Sequence, residues 1–470
     1  MEKLKLIILT LLLLLCASNA DAYRGSVSVL IQSGASGGTL SGDGMKFSDS
    51  SGQASVLTGT FAVQHNDGML IVADKTFAIP VLVESAQPIS WNGISYHGSL
   101  NFLNLQSSVS IINIVDMESY IKGVLRSEMS PSWHIEALKA QAVVARTYAV
   151  SAMGKHSGYD LCSSTHCQVY KGMKAETAKI NEAVEATAGQ ILLWNGQPAS
   201  VFYHTDSGGM VTASSSVWGS SIPYLVPRAE PIPYTGPNTN WQCTIPMTYI
   251  SDKLAANGIS VGAVSMLTPQ TRDESGRVLT LEITGTSGKT TVSGHKFRTI
   301  IGADKIRSTM FEFSGGMASQ PYVYGTAPQV SAGTQKPTAT GVKINKASMP
   351  KTSEDKLVWL TKNNVFTTRE LMEMLSKPDK ADYYVKVGMA RVEGKTIPLQ
   401  QPNETGSNDK TSDKTVYAQQ ITMSNNSAAG GSVTFSGRGW GHGVGLSQYG
   451  AKTLAENGWP YVNILAHYFP

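Results

Sequence analysis

Three groups of side chains in this sequence have the types and spacing that chemistry requires. The first is Glu128, seven residues after Ile121 and four after Val124. Positions four and seven apart share one face of a helix, so a helix through this stretch sets the carboxylate on its own apolar stripe. Burial there against Leu125, Met129 and Trp133 disfavours the ionised form, which is how a Glu becomes a general acid near neutral pH. A solvated helix-end carboxylate is the plainer alternative. The second group is His156, Cys162, His166 and Cys167, four donors within twelve positions. That donor set suits zinc, while a Cys162–Cys167 disulfide closing a small loop would use the same thiols. The third is Gly437-Arg438-Gly439-Trp440-Gly441-His442-Gly443-Val444-Gly445, followed by Leu446-Ser447-Gln448-Tyr449-Gly450. It fits neither a dinucleotide-binding turn nor a phosphate loop, and Tyr449 breaks a nucleophile elbow. Glycine at alternate positions leaves one face bare for a glycan or another backbone, with Arg438, Trp440 and His442 projecting from the other. A tightly packed strand is the alternative here.

Asp206-Ser207-Gly208-Gly209, with Thr165-His166-Cys167 upstream, imitates two signature pieces of a chymotrypsin-like serine protease. Only 41 positions separate His166 from Ser207, too few for a barrel domain with an intervening Asp, and no Gly precedes Asp206. The spacing argues against that chemistry.

Several kinds of element must position these groups. Over residues 23–105, short apolar runs at 27–31, 54–61, 69–72 and 79–83 alternate with Gly, Ser, Asp and Asn turns, which predicts an antiparallel β-rich region. From Asp116 the apolar spacing becomes helical. Leu138, Ala142, Ala145 and Ala149 then make a small-residue stripe on a second helix, for which Ser130 and Pro131 suit the cap and first turn. Strands are expected at 191–194, 199–203 and 278–283, and again at 433–435. The fold class is therefore mixed α+β: a β-rich N-terminal region, an α/β core over 106–314, and a Gly-rich core strand within 431–470. Residues 315–430, rich in Gly, Ser, Thr, Pro and Ala and carrying one small helical piece at 367–375, read as an insertion with flexible linkers.

The chain has 470 residues, 41% hydrophobic and 15% charged, with a formal net charge of +4. Two or three domains are expected at that length, and the mild, dispersed positive charge argues against dedicated nucleic-acid binding. Lys3 and Lys5 precede residues 6–15, which are almost entirely Leu and Ile, and Ala20-Asp21-Ala22 supplies a cleavage signal. This is the pattern of a secretory signal peptide over 1–22, so the protein is expected to be exported, with no membrane span apart from that segment. A lipoprotein acylated at Cys16 is disfavoured because bulky Leu15 precedes the cysteine.

Taken together, these pieces resemble the SpoIID/LytB family of bacterial cell-wall proteins. The resemblance is carried by Glu118-Ser119-Tyr120-Ile121-Lys122-Gly123-Val124-Leu125-Arg126-Ser127-Glu128-Met129 with residues 137–149, by CSSTHCQVYKG at 162–172, by HTDSGGM and VWGSSIPYL within 204–225, and by 437–448 with 464–470. It implies a lytic transglycosylase acting on peptidoglycan glycan strands stripped of their peptides, or, for LytB-type members, a modifier of an N-acetylmuramoyl-L-alanine amidase. The family's catalytic Glu corresponds to Glu128. Glycan contacts are implied at Lys139, Arg146, Ser207, His442 and Gln448, and structural zinc at His156, Cys162, His166 and Cys167. The chain departs from the pattern in the 315–430 insertion, in stopping at Pro470 with less tail than expected after the 465–470 block, and in Met210, where a polar or basic residue often follows Ser-Gly-Gly.

One carboxylate suffices for the implied reaction. A glycosidase normally needs two. A lytic transglycosylase can protonate the glycosidic oxygen with one Glu and then use its carboxylate to take the proton from the sugar's own 6-hydroxyl, the intramolecular attack replacing the second acid. The competing expectations are a non-catalytic, wall-binding amidase enhancer and a purely structural, metal-stapled envelope protein.

Overall fold

The structure, a computed structural model, describes residues 25–105, 108–314 and 431–470, with the isolated positions Lys356, Leu360, Val385, Lys386 and Met389. Asp21–Tyr322 and Asn426–Pro470 form one compact unit; the other, Met1–Ala20 with Val323–Asn425, contains only those five described positions. The leader expected over 1–22 and the helical piece at 367–375 lie outside the described residues. The fold is mixed α/β, with one large mixed sheet and, among the described residues, eight α-helices. No described helix is long and apolar enough to cross a membrane.

The N-terminal region builds an eleven-stranded sheet whose spatial order runs Leu161–Cys162, Ser26–Gln32, Ser108–Asp116, Ser99–Leu105, Val81–Glu84, Gly37–Asp49, Ala54–Asn66, Met69–Val72 and Lys75–Ala78, with Ile89–Trp91 and Ile94–Tyr96 as a branch. The strands expected at 27–31, 54–61 and 69–72 fall inside it. The run at 79–83 does not form one strand; Pro80 has no N–H for the ladder, and pairing stops at Ala78 and resumes at Val81. One edge is functionally placed: Leu161–Cys162 pairs in parallel with Val29 and Leu30, and the Asp160 carboxylate accepts bonds from the Ser28 amide at 2.9 Å and hydroxyl at 2.6 Å. Cys162 is thereby fixed to the sheet.

The helices are α1 (Met117–Glu128), α2 (Ile135–Ala152), α3 (Ala178–Glu185), α4 (Ser214–Trp218), α5 (Met247–Ala256), α6 (Gly294–Ile301), α7 (Gln448–Glu456) and α8 (Tyr461–Tyr468). Asp116 ends the Ser108–Asp116 strand and caps α1, its side chain accepting the Ser119 amide at 3.0 Å. Met117, Tyr120, Ile121, Val124 and Leu125 bury one stripe of α1, and Glu128 is the last residue along it. Gly123 is required on that face: a Cβ there would stand 2.3 Å from the Tyr170 ring. The second helix starts later than its Ser130-Pro131 signal suggested. The Ser130 hydroxyl is taken by Ser132, residues 130–133 turn, and His134 caps α2 by accepting the Glu136 amide at its Nδ1. α2 is buried on nearly every side because α1, α3, α7 and α8 pack around it, which its alanines permit.

A second hydrophobic cluster gathers α5, α6 and two three-stranded sheets. In one of these, Ser432–Arg438 lies between Asn240–Pro246 and Phe311–Ser314, antiparallel to both. The chain therefore leaves this sheet at Ser314 and re-enters on the adjacent strand. Gly437 lets the Trp241 indole lie flat on that strand, since a Cβ would meet it at 2.2 Å. The runs expected at 191–194 and 199–203 shrink to Leu193–Trp194, in a two-residue hairpin, and to Tyr203–His204, which pairs in parallel with Leu446–Ser447.

Candidate functional site

Glu128 stands at the open end of α1, half-buried, between residues from two distant parts of the chain. Gln448, the first residue of α7 and itself buried, points its amide nitrogen at the carboxylate from 3.4 Å. The Tyr203 hydroxyl also bonds Glu128. Burial raises the carboxyl's proton affinity above the ordinary Glu value, and the bonds from Tyr203 and Gln448 offset part of that rise. Tyr203 is held from behind. Gln168 donates to its hydroxyl at 3.3 Å and to the Ala145 carbonyl at 3.4 Å, while its own amide oxygen accepts from Tyr120 at 3.1 Å. The parallel pairing of Tyr203–His204 with Leu446–Ser447 is what brings Tyr203 and Gln448 to one carboxylate.

Three of the four expected metal donors gather in one group, and Cys162 approaches it at His166. One donor atom each from His156, His166 and Cys167 lies within 4.8 Å of the others. Cys167 Sγ is 3.4 Å from His156 Nε2 and 3.4 Å from His166 Nδ1, and Cys162 Sγ is 3.7 Å from the same His166 nitrogen. Donors at the corners of a zinc tetrahedron stand roughly 3.3–3.8 Å apart. The thiols of Cys162 and Cys167 are unbonded to each other, and Cys243 is also free. Burial pushes the Cys162 thiol up, but hydrogen bonds from Ser164, Cys167 and His166 outweigh it and bring it down to about 6. Burial pushes the neighbouring Cys167 thiol the other way, up to about 11, so the fit to the ion rests on residue types and spacing. If it binds, one zinc per chain is expected by elemental analysis, with a fall in unfolding temperature on chelation that Cys167→Ser reproduces. Loss of two thiols to a disulfide with no metal would contradict this.

The implied glycan contacts divide sharply. Gln448 reaches Glu128. Arg146 does not reach the surface: it is 0% exposed, with Nε and Nη2 on the Glu118 carboxylate at 3.0 and 2.5 Å and Nη1 on the Gln190 carbonyl at 3.0 Å. It ties α2 to α1 and to the turn after α3, so the expected glycan contact is corrected to a buried ion pair. Lys139 is half-buried and bonds Glu136 at 2.8 Å, with its ammonium 5.9 Å from the centroid of the Tyr461 ring. Ser207 is buried, its hydroxyl donating to Glu230 at 2.6 Å and lying 3.1 Å from the Tyr234 hydroxyl, while its carbonyl accepts Arg277 at 2.6 Å. Its contact with a glycan is likewise corrected. His442 is half-buried and held on both nitrogens: Nδ1 accepts the Val444 amide at 3.0 Å and the ring also bonds the Tyr203 carbonyl. Burial and the nearby Arg298, Arg277 and His295 bring its pKa down to about 3, so it stays neutral and packs against Trp218.

Residues that carry no signal of their own prove central. Tyr203 falls at the end of an expected strand, and Gln168 and Glu230 stand out by neither type nor spacing. Glu230 in fact bonds Ser207 and Tyr468, and burial pushes its carboxyl up to about 7. These contacts join residues 23 to 320 positions apart, and no local pattern encodes them. One consequence concerns pH. The Tyr203 bond lowers the Glu128 pKa, so Tyr203→Phe should raise it. Any activity that needs the protonated acid should then persist to higher pH, its alkaline limb moving upward in the pH–rate profile.

Residues 105–194 match the SpoIID family, described as stage II sporulation protein. That segment holds Glu128 and all four metal-type donors, whereas Tyr203 and Gln448 lie beyond it. The chain is 28% identical over 423 residues to the amidase enhancer of Bacillus subtilis, covering 88% of this chain and 49% of that protein. It is 33% identical over 174 residues to stage II sporulation protein D of Bacillus subtilis, covering 33% of this chain and 51% of that protein. An uncharacterized protein of Brachyspira hyodysenteriae is 33% identical over 166 residues, or 35% of this chain and 45% of its own length. The chain thus spans about half the length of the curated relatives it matches. The SpoIID match lies over α1, α2 and the Cys/His cluster, and relatives are named for both sporulation protein D and an amidase enhancer, so residues 105–194 form a SpoIID-family segment within this chain.

Proposed function

We propose that this protein is an exported lytic transglycosylase that cleaves the bond between N-acetylmuramic acid and N-acetylglucosamine in glycan strands freed of their stem peptides, leaving 1,6-anhydro ends. The observation that carries the reading is Glu128: a half-buried carboxyl with raised proton affinity, bonded by the neutral groups of Tyr203 and Gln448. In the first step the protonated Glu128 gives its proton to the glycosidic oxygen as the C1–O bond breaks. The resulting carboxylate then takes the proton of the 6-hydroxyl of the same N-acetylmuramic acid as that oxygen bonds to C1, which returns Glu128 to its acid form. Tyr203 and Gln448 hold the carboxyl in place through both steps. Export rests on the leader pattern. His156, Cys162, His166 and Cys167 would hold a zinc ion, which when bound supplies a tether between the sheet edge and the loop leading to Gln168.

A second reading has its own support: a relative that aligns over 88% of this chain is named an amidase enhancer. The two readings separate by incubating the purified protein with peptide-stripped strands, and with intact peptidoglycan plus a cell-wall amidase. The transglycosylase reading expects soluble glycan from the protein alone. The enhancer reading expects none, with faster peptide release by the amidase.

A further inference from the structure

Leu193, Trp194, Trp218 and Val226 are four of the six exposed large apolar side chains among the described residues, and they fall within one short stretch of sequence. They are joined by a stripe of rings. Trp194 lies on Tyr224 with centroids 4.9 Å apart, the Tyr224 hydroxyl bonds the Ser200 carbonyl, and two residues on, Phe202 lies 4.5 Å from Trp218. Trp218 also packs on His442 at 5.2 Å, the ring that the Val444 amide and the Tyr203 carbonyl hold immobile. Trp218 is 40% exposed and borders a cleft of about 530 Å³ lined further by Ser215, Ser216, Val217, Gly219, Leu279 and Ser293. No charged side chain lines it. Hydroxyls around an exposed indole offer stacking to the C–H face of a neutral sugar such as the N-acetylglucosamine unit of the strand, with hydrogen bonds to its rim, whereas a protein would call for more apolar area.

We propose that the Trp218 cleft is a second glycan-binding site, separate from Glu128, which holds a distant stretch of the strand. The proposal rests on glycan being the ligand class. Neighbouring residues in an extended segment point to opposite sides, so Phe202, which supports Trp218, and Tyr203, which bonds Glu128, face apart. Binding at the cleft and cleavage at Glu128 are therefore separable.

The test measures calorimetric affinity for peptide-stripped strands in the full chain carrying Glu128→Gln, so that nothing is cut. Adding Trp218→Ala, or Ser216→Arg to fill the cleft beside it, should weaken binding roughly tenfold, with Trp218→Phe close to unchanged. With Glu128 intact, Trp218→Ala should turn over a tetrasaccharide as the native protein does. Unchanged strand affinity in both the Trp218→Ala and Ser216→Arg proteins, each folded by thermal unfolding, overturns the proposal even if the native protein cleaves. Trp218-dependent binding without any cleavage by the native protein would uphold the cleft and reject the transglycosylase reading instead.

Discussion

Glu128→Gln should reduce release of glycan fragments by about 10²–10⁴-fold, the range supplied by a single positioned acid–base group. The substitution keeps the volume and a hydrogen-bonding capacity for Tyr203 and Gln448, so packing at the end of α1 should survive. It removes the only proton the proposed first step can deliver and the only carboxylate that can accept the proton of the second. Both halves fail together, so no intermediate should accumulate. The native protein should also lose activity as pH rises through the Glu128 pKa, because the acid form is the starting state. Since burial raises that pKa, the loss falls at higher pH than it would for a solvated Glu. A Gln variant with native rates and an unaltered pH profile would move the chemistry to another group.

Arg146→Ala should cause the largest loss of stability of any substitution considered, about 3–5 kcal/mol. The guanidinium is wholly buried and bonds the Glu118 carboxylate twice as well as the Gln190 carbonyl. Removing it strands a charge on Glu118, whose remaining partner is the Gly189 amide at 2.9 Å, and opens a cavity where α1, α2 and the turn after α3 meet. Arg146→Lys should recover only part of the loss, since one ammonium cannot reproduce a two-pronged contact. Denaturant unfolding gives the size of the effect. The decisive companion measurement is activity per folded molecule at low temperature, which should stay near native. A variant of native stability that fails to cleave would return Arg146 to the glycan, as the family resemblance implied.

Arg146 also marks where sequence reading reaches its limit. Seven residues separate it from Lys139, which sets both on one helical face, and spacing alone cannot tell whether that face meets water or another helix. Helix α2 is enclosed by four others, and the enclosing contacts from α7 and α8 come from the last residues of the chain. The position of Glu128 at the end of the α1 stripe was legible because 3.6-residue periodicity is local, and so was the grouping of His156, His166 and Cys167, which lie within one loop. The glycine block was legible as a place of close approach but not in its direction. Gly443 receives the Arg277 guanidinium and Gly445 the Phe202 carbonyl, so the bare face meets the protein's own interior and His442 faces inward. Tyr203 and Gln448 reach Glu128 through a parallel pairing of two-residue strands, which leaves no periodic trace in either segment.

The central claim is that Glu128 drives intramolecular ring closure, and mass spectrometry of the new glycan ends tests it most directly. Native protein on peptide-stripped strands should yield fragments ending in 1,6-anhydro-N-acetylmuramic acid, lighter by one water than hydrolysed ends, with none from Glu128→Gln. Reducing ends from the native protein would contradict the account, since they require a water nucleophile and a second carboxylate; equal anhydro product from both proteins would contradict it as well.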